Sequence, residues 1–458
     1  MTPLALQLAE WAAAVRFEAI PTEVVESAKD RVLDLLGVSL AAGDTDAGVA
    51  VRGLRDEWGP GRPEAGFVGE RTRGAAALVA MVNGTYAHAL DFDDTHLPSV
   101  VHPSAPIVPA ILAAAQAAGA GGREALAALV VAYELDTRLA MAQYDSALGN
   151  SVFFEHGLHA TSILGAVAGA AGCARLRGLG AEGVADAIGI ACSMGAGIIE
   201  ANRTGGSVKK FHGGWAAHCA VSAAGVAAHG LTGPPTALEG GFGLFSAFCG
   251  DRWRPGALTD ALGERWDTPA ILFKPYPCNH FTHAVVDAAL ALKARGLRPE
   301  AVERVTIGTA AAAWRTLGDP IEEKRRPRTP YHAAFSAPFA FATALVGGSG
   351  LGVTTRDFSE AALADAERLR LAGACDVVVD EECTRIFPNQ FPAVVQVRTL
   401  EGADLEQRVM RNRVLGRSEL RAKLEDNAGR LAAGLAVACA ELDRAPSLDA
   451  LLAATVGY

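Results

Sequence analysis

From Met1 to about Glu264 the apolar positions recur at helical spacing. After Pro21, for example, Val25, Ala28, Val32, Leu35 and Leu36 fall on one stripe. Ser104 to Ala118, Glu124 to Gln143, Thr161 to Leu176, Glu182 to Ile198 and Gly214 to His229 predict long, Ala-rich helices separated by Gly or Pro. Alanine combines the highest helix propensity with a small side chain, so helices built from it approach one another closely. The period changes after Phe273. Val302 to Thr309 alternates in part, Cys375 to Asp380 is a β-branched run, and Val394 to Thr399 followed by Gly402 and Leu405 to Met410 reads as a hairpin. Helical stretches at Ala284 to Ala294 and Ala333 to Leu345 lie between these strands, and from Ser418 the helical period resumes to Leu452. The pattern predicts a mostly α fold with a smaller α+β module. A large helical domain is formed by both chain ends (1–268 and 414–458), and a smaller α+β domain (269–413) is inserted between them.

Composition narrows the function. Half of the 458 residues are hydrophobic but only 6% are aromatic, and there are 50 glycines, as expected of close-packed small-residue helices. The net charge of −10 disfavours a polyanion-binding surface and argues against nucleic acid as a partner. Eight scattered cysteines without a CxxC pair read as reduced core thiols. Glu10 interrupts the first apolar stretch, which lacks the basic start of a secretory leader, and Ala333 to Gly348 is short for a membrane span and contains Pro338. These features predict a cytoplasmic protein with no membrane partner.

Ten of the eleven histidines fall between His88 and His283, a concentration suited to acid/base chemistry near neutral pH. The densest cluster runs from Asn83 to Pro109 and contains His88, Asp91, Asp93, Asp94, Thr95, His96 and His102. Three carboxylates in four residues repel one another unless cations or protons relieve them. His102 stands just before a helix start marked by Ser104 and Pro106, where free backbone N–H groups favour an anion. His159 precedes another helix, Lys209 and His212 share a face if helical, and Lys274, Cys278, Asn279 and His280 lie on a Pro-stiffened loop at the change of composition. The spacings contain no clear metal-ligand set, and no cofactor is called for.

Together these segments resemble the MmgE/PrpD family, through Asn83-Gly84-Thr85, His88-Ala89-Leu90-Asp91-Phe92-Asp93-Asp94-Thr95, His102-Pro103-Ser104, Lys209 with His212-Gly213, Thr232-Gly233-Pro234-Pro235 with Leu238-Glu239-Gly240, and Lys274-Pro275-Tyr276-Pro277. The activities of that family include 2-methylcitrate dehydration, cis-aconitate decarboxylation and iminodisuccinate epimerisation. The resemblance implies a helical domain built from both chain ends, a lid domain, a homodimer and an active site in the cleft between the domains. It also implies that Asp91, Thr95, His102, His159, Lys209 and Lys274 line that site. Two positions depart from the family: Phe339 stands where relatives often carry Tyr, and Asn279 stands where the decarboxylase has a pocket histidine.

The expected activity is that of a cofactor-independent lyase acting on a small di- or tricarboxylic acid, with an epimerase or isomerase as the alternative. Each of these reactions develops charge on a carbon next to a carboxylate, so fixed cations and an acid/base pair are needed. Lys209, Lys274, His102 and His159 are the cations available. His102, His159, Asp91 and Lys209 are the candidate catalytic residues, with Asp91 orienting or charging an imidazole. Thr95, Lys274, Asn279, His280 and His212 are the candidate substrate-binding residues. Asp91-Phe92-Asp93-Asp94 also fits the DxDD pattern of helical terpene cyclases, but only 17 Phe, 6 Trp and 6 Tyr are present to stabilise carbocations. A scaffold that has lost activity is the remaining, non-catalytic reading.

Overall fold

The computed structural model describes residues 2–204 and 206–457. The chain is mostly α, with 59% of residues helical and a small α+β part. The helices Thr22–Ala41, Ala76–His88, Ser104–Ala117, Gly122–Ala142, Ala160–Leu176, Ala181–Met194 and Lys209–Ala228 form the larger assembly. In the helix Ala160–Leu176 every residue from Ala160 to Ala174 is buried, and in Ala76–His88 only Ala77 is not. Helices surrounded on all sides need no polar face, which is why these segments read as apolar rather than amphipathic.

One hydrophobic core collects residues from Ala5 to Ile271 together with Leu424 to Leu451, and a second collects Tyr276 to Val397. The late helix Arg417–Ala428 reaches back to Thr22–Ala41, where Lys423 pairs with Asp34 at 2.7 Å, both buried. In the second core, Val302–Thr309 pairs in parallel with Cys375–Val379 and antiparallel with Ala393–Thr399, which pairs with Asp404–Val409. The spatial order is therefore 375–379, 302–309, 393–399, 404–409. The helices His283–Ala294 and Ala337–Val346 contribute buried residues to the same core as the sheet.

Two helices cross at near backbone contact, and this crossing positions the candidate site. A Cβ placed on Gly214 would lie 2.2 Å from the Met81 carbonyl oxygen, and one on Gly84 would lie 2.8 Å from the Gly213 carbonyl oxygen. Only glycine permits that separation between Ala76–His88 and Lys209–Ala228. The segment read as a helix from Glu182 to Ile198 ends at Met194, because Gly195 breaks the period and Gly197 adopts φ 150°. All eight cysteines are free thiols. Among the described residues no helix is long and apolar enough to cross a membrane.

Candidate active site

The helix Ala76–His88 ends in a turn that places Asp91 at φ 51°, a left-handed conformation Asp tolerates better than most residues. From that position the carboxylate meets cations from two other segments. Lys209 Nζ lies 3.0 Å from Asp91 Oδ1, and Lys274 Nζ lies 3.4 Å from the same oxygen while donating to the Asp91 carbonyl at 2.9 Å. All three side chains are buried. Burial alone would raise the Asp91 carboxyl, but the two ammonium groups hold it well below the usual carboxylate range.

The other two carboxylates have their own partners. Asp93 Oδ2 accepts from His88 Nδ1 at 2.8 Å, and despite burial His88 and His102 keep its pKa depressed. Asp94 lies 3.2 Å from buried Arg31, accepts from the Ser104 N–H at 3.1 Å and from the Ser104 hydroxyl at 2.5 Å. Arg31 is fixed in turn by the carbonyls of Thr268 and Ile271. The repulsion foreseen for this cluster is thus relieved by two lysines, an imidazole and an arginine. One expectation is corrected: Asp94 caps the Ser104 amide, so that part of the helix start is not left free for an external anion.

The imidazoles gather around His88. Its ring centroid lies 5.6 Å from those of both His102 and His159, and the His159 centroid lies 5.0 Å from that of His212. His102 Nδ1 is 2.8 Å from the Asp94 carbonyl and 3.1 Å from Thr95 Oγ1. A carbonyl only accepts, so Nδ1 carries the proton in neutral His102 and Nε2 keeps its lone pair. His159 and His212 face each other through Nδ1 atoms 2.9 Å apart, an arrangement in which one donates and the other accepts. Burial, followed by Lys274, pushes His102 down to about 3, and burial takes His212 to about 4. Burial and Lys209 hold His159 well below the ordinary imidazole value. These three rings are neutral near pH 7. His102 and His159 therefore do not act as standing cations, and the fixed positive charge resides on Lys209 and Lys274.

Thr95 also pairs with Leu272 through reciprocal backbone bonds of 2.9 and 2.8 Å, which brings the chain leading to Lys274 alongside the Asp cluster. His280 is buried, with Nδ1 unpartnered among the described residues, and its ring centroid lies 4.4 Å from that of His283. Asn279 Oδ1 is already bound to the Phe281 N–H at 3.0 Å and caps the turn His280–Thr282. Asp91 takes a part different from the one expected of it. It pairs with lysines, while Asp93 is the carboxylate that orients an imidazole. His88, Asp93 and Arg31 are the contributors that sequence reasoning did not single out, although His88 and Asp93 lay inside the densest motif.

Residues 6–255 match the model of the MmgE/PrpD N-terminal domain, and residues 276–440 match that of the MmgE/PrpD C-terminal domain. The chain belongs to the MmgE/PrpD family. Among the curated relatives of this MmgE/PrpD chain, a cis-aconitate decarboxylase-like protein of Aspergillus oryzae is 26% identical over 364 residues, covering 75% of this chain and 74% of its own. The cis-aconitate decarboxylase of Aspergillus terreus is 28% identical over 314 residues (66% of this chain, 62% of its own). The human cis-aconitate decarboxylase is 32% identical over 222 residues, 47% of this chain and 44% of its own. Of the two family departures seen in the sequence, Phe339 is fully buried in the second core, 6.3 Å from Phe358 between ring centroids.

Proposed function

We propose that this MmgE/PrpD chain is a cofactor-independent lyase of a small di- or tricarboxylic acid, working by decarboxylation or dehydration through an enediolate-like state. The observation that carries the reading is the convergence of two buried ammonium groups, Lys209 and Lys274, on Asp91 beside neutral imidazoles. Substrate carboxylates compete with Asp91 for these cations, which then stand where negative charge develops on the reacting carbon's neighbour. In a decarboxylation the C–C bond breaks, carbon dioxide leaves, and the electron pair delocalises toward the adjacent carboxylate until a proton is delivered to carbon. His102 Nε2 and the His159–His212 pair are the groups assigned to move that proton. A polyanionic substrate raises the imidazole pKa values, so a ring that is neutral in the free protein takes up a proton with the substrate and becomes the acid. The active form is read as a homodimer.

The relatives' names make cis-aconitate the first acid to offer, with hydroxy-tricarboxylates such as 2-methylcitrate beside it. Incubation in deuterated water, followed by NMR, distinguishes carbon dioxide loss, water loss and silent C–H exchange. We expect one of these signals with the wild type, and its loss in His102→Ala and Lys209→Ala. Near-normal turnover in both variants ends the proposal.

A further inference from the structure

The α+β part brings a phenol to this cluster. Tyr331 lies on the short helix Pro330–Ala333, and its ring centroid is 4.8 Å from that of Phe335. The Lys210 ammonium sits 5.1 Å from the Tyr331 centroid and the Lys209 ammonium 5.2 Å from the Phe335 centroid. Two adjacent lysines at the start of Lys209–Ala228 therefore meet a pair of aromatic rings from the other core, and Lys209 itself is bound to Asp91. The Tyr331 hydroxyl is buried and has no hydrogen-bond partner among the described residues, whereas a buried phenol ordinarily finds one. Burial, then Asp91, Asp93 and Asp46, raises its pKa well above the usual phenol value. The group keeps its proton, and ionisation beside carboxylates is unfavourable, so it is suited to donating a hydrogen bond rather than giving its proton away.

We propose that Tyr331 donates a hydrogen bond to a carboxylate of the bound substrate and so helps select polycarboxylates. This rests on the functional reading above. Lys209 and Lys274 are already engaged with Asp91, whereas the Tyr331 hydroxyl is a neutral donor with no competing bond to break. Its ring is held by Phe335 and Lys210, so little freedom is lost when a ligand arrives.

Tyr331→Phe removes only that hydroxyl. Calorimetric titration of the full-length protein with propane-1,2,3-tricarboxylate, a saturated probe that lacks the double bond and hydroxyl of the reacting acids, measures its effect. The variant is expected to bind about 10- to 100-fold more weakly, as for a lost hydrogen bond to a charged group. Its kcat on a turned-over acid is expected to stay within about threefold of wild type, because the lost contact serves binding rather than the chemical step. The ligand-free variant should unfold at the same temperature or higher, since the deleted group satisfied no partner. Wild-type affinity retained in Tyr331→Phe overturns this proposal alone, as does a fall in kcat at unchanged affinity. A wild type that binds no di- or tricarboxylate overturns the functional reading and this proposal with it.

Discussion

Gly214→Ala tests whether the glycine crossing holds the candidate site together. The added methyl would lie 2.2 Å from both the Met81 carbonyl oxygen and the Thr85 hydroxyl oxygen, and 2.9 Å from the Thr85 nitrogen. Non-bonded atoms settle at about 3.5 Å, so the helices must separate locally by about 1 Å. Thr85 can rotate away, but the Met81 carbonyl belongs to the backbone of a helix buried on nearly every side. Lys209 and His212 lie within two turns of the substitution, and the 3.0 Å contact between Lys209 and Asp91 then lengthens toward about 4 Å, beyond hydrogen-bond reach. Overpacking of this kind costs about 1–3 kcal/mol, or about 1–3 °C in Tm for a chain of this size. A misplacement of about 1 Å lowers kcat/KM about 100-fold. Gly53→Ala serves as the control: Gly53 lies in the exposed middle of Asp46–Trp58 with no atom within 4 Å of an added Cβ, and the substitution should stabilise by about 0.5–1 kcal/mol. Thermal unfolding and steady-state kinetics on both variants decide the matter. Unchanged Tm and turnover in Gly214→Ala would refute the claim that the crossing is too tight for a side chain.

Asp91→Asn leaves two buried ammonium groups without a countercharge and should cost about 3–5 kcal/mol in urea unfolding; adding Lys274→Met should restore part of it, and strictly additive losses would contradict the pairing. His102, at about 3 in the folded protein, should not titrate between pH 5 and 8 in 13C-histidine NMR assigned with His102→Gln; a midpoint near 6.5 would contradict its burial. Because the unfolded chain binds the proton that folded His102 refuses, this group's contribution to stability is present above about pH 6.5 and is lost as pH falls toward about 3. Burial raises Asp34 to about 6 even with Lys423 beside it. In Lys423→Met the folded carboxyl must stay protonated to higher pH, so the stability gap to wild type should widen above pH 6, by up to about 1.4 kcal/mol per unit, and a gap independent of pH would count against the pair.

Much of the fold was legible because burial leaves a periodic trace. The stripe after Pro21 became the helix Thr22–Ala41, and the alternation around Gly402 became the hairpin of Ala393–Thr399 with Asp404–Val409. The helix Ala76–His88 left no stripe, since it is enclosed on all sides. Motif spacing brought Lys209, Lys274, Asp91, Thr95, His102, His159 and His212 into view, and the structure gathers them. What spacing could not assign is which carboxylate takes which cation, because Lys274 and Arg31 reach the Asp cluster from more than 60 residues away in sequence. Tyr331 escaped notice for the opposite reason: it is an isolated phenol on a short turn of helix, and only its tertiary neighbours make it conspicuous.

Lys423 donates to the Phe92 carbonyl at 3.0 Å, its ammonium lies 4.0 Å from the Phe92 ring centroid, and it pairs with Asp34. The turn that presents Asp91 and Asp93 is therefore anchored by a residue more than 300 positions later, and Lys274 neutralises it from a third region. Lys423 must leave the ribosome before this turn has its complete set of counter-charges. Neither family-matched half holds the assembly by itself: 6–255 lacks Lys274 and Lys423, and 276–440 lacks the Asp cluster. During synthesis the nascent helical part carries acidic groups awaiting lysines not yet made, so the cluster gains its full set of counter-charges only after Lys423 has been added, well after the segment 6–255 is finished.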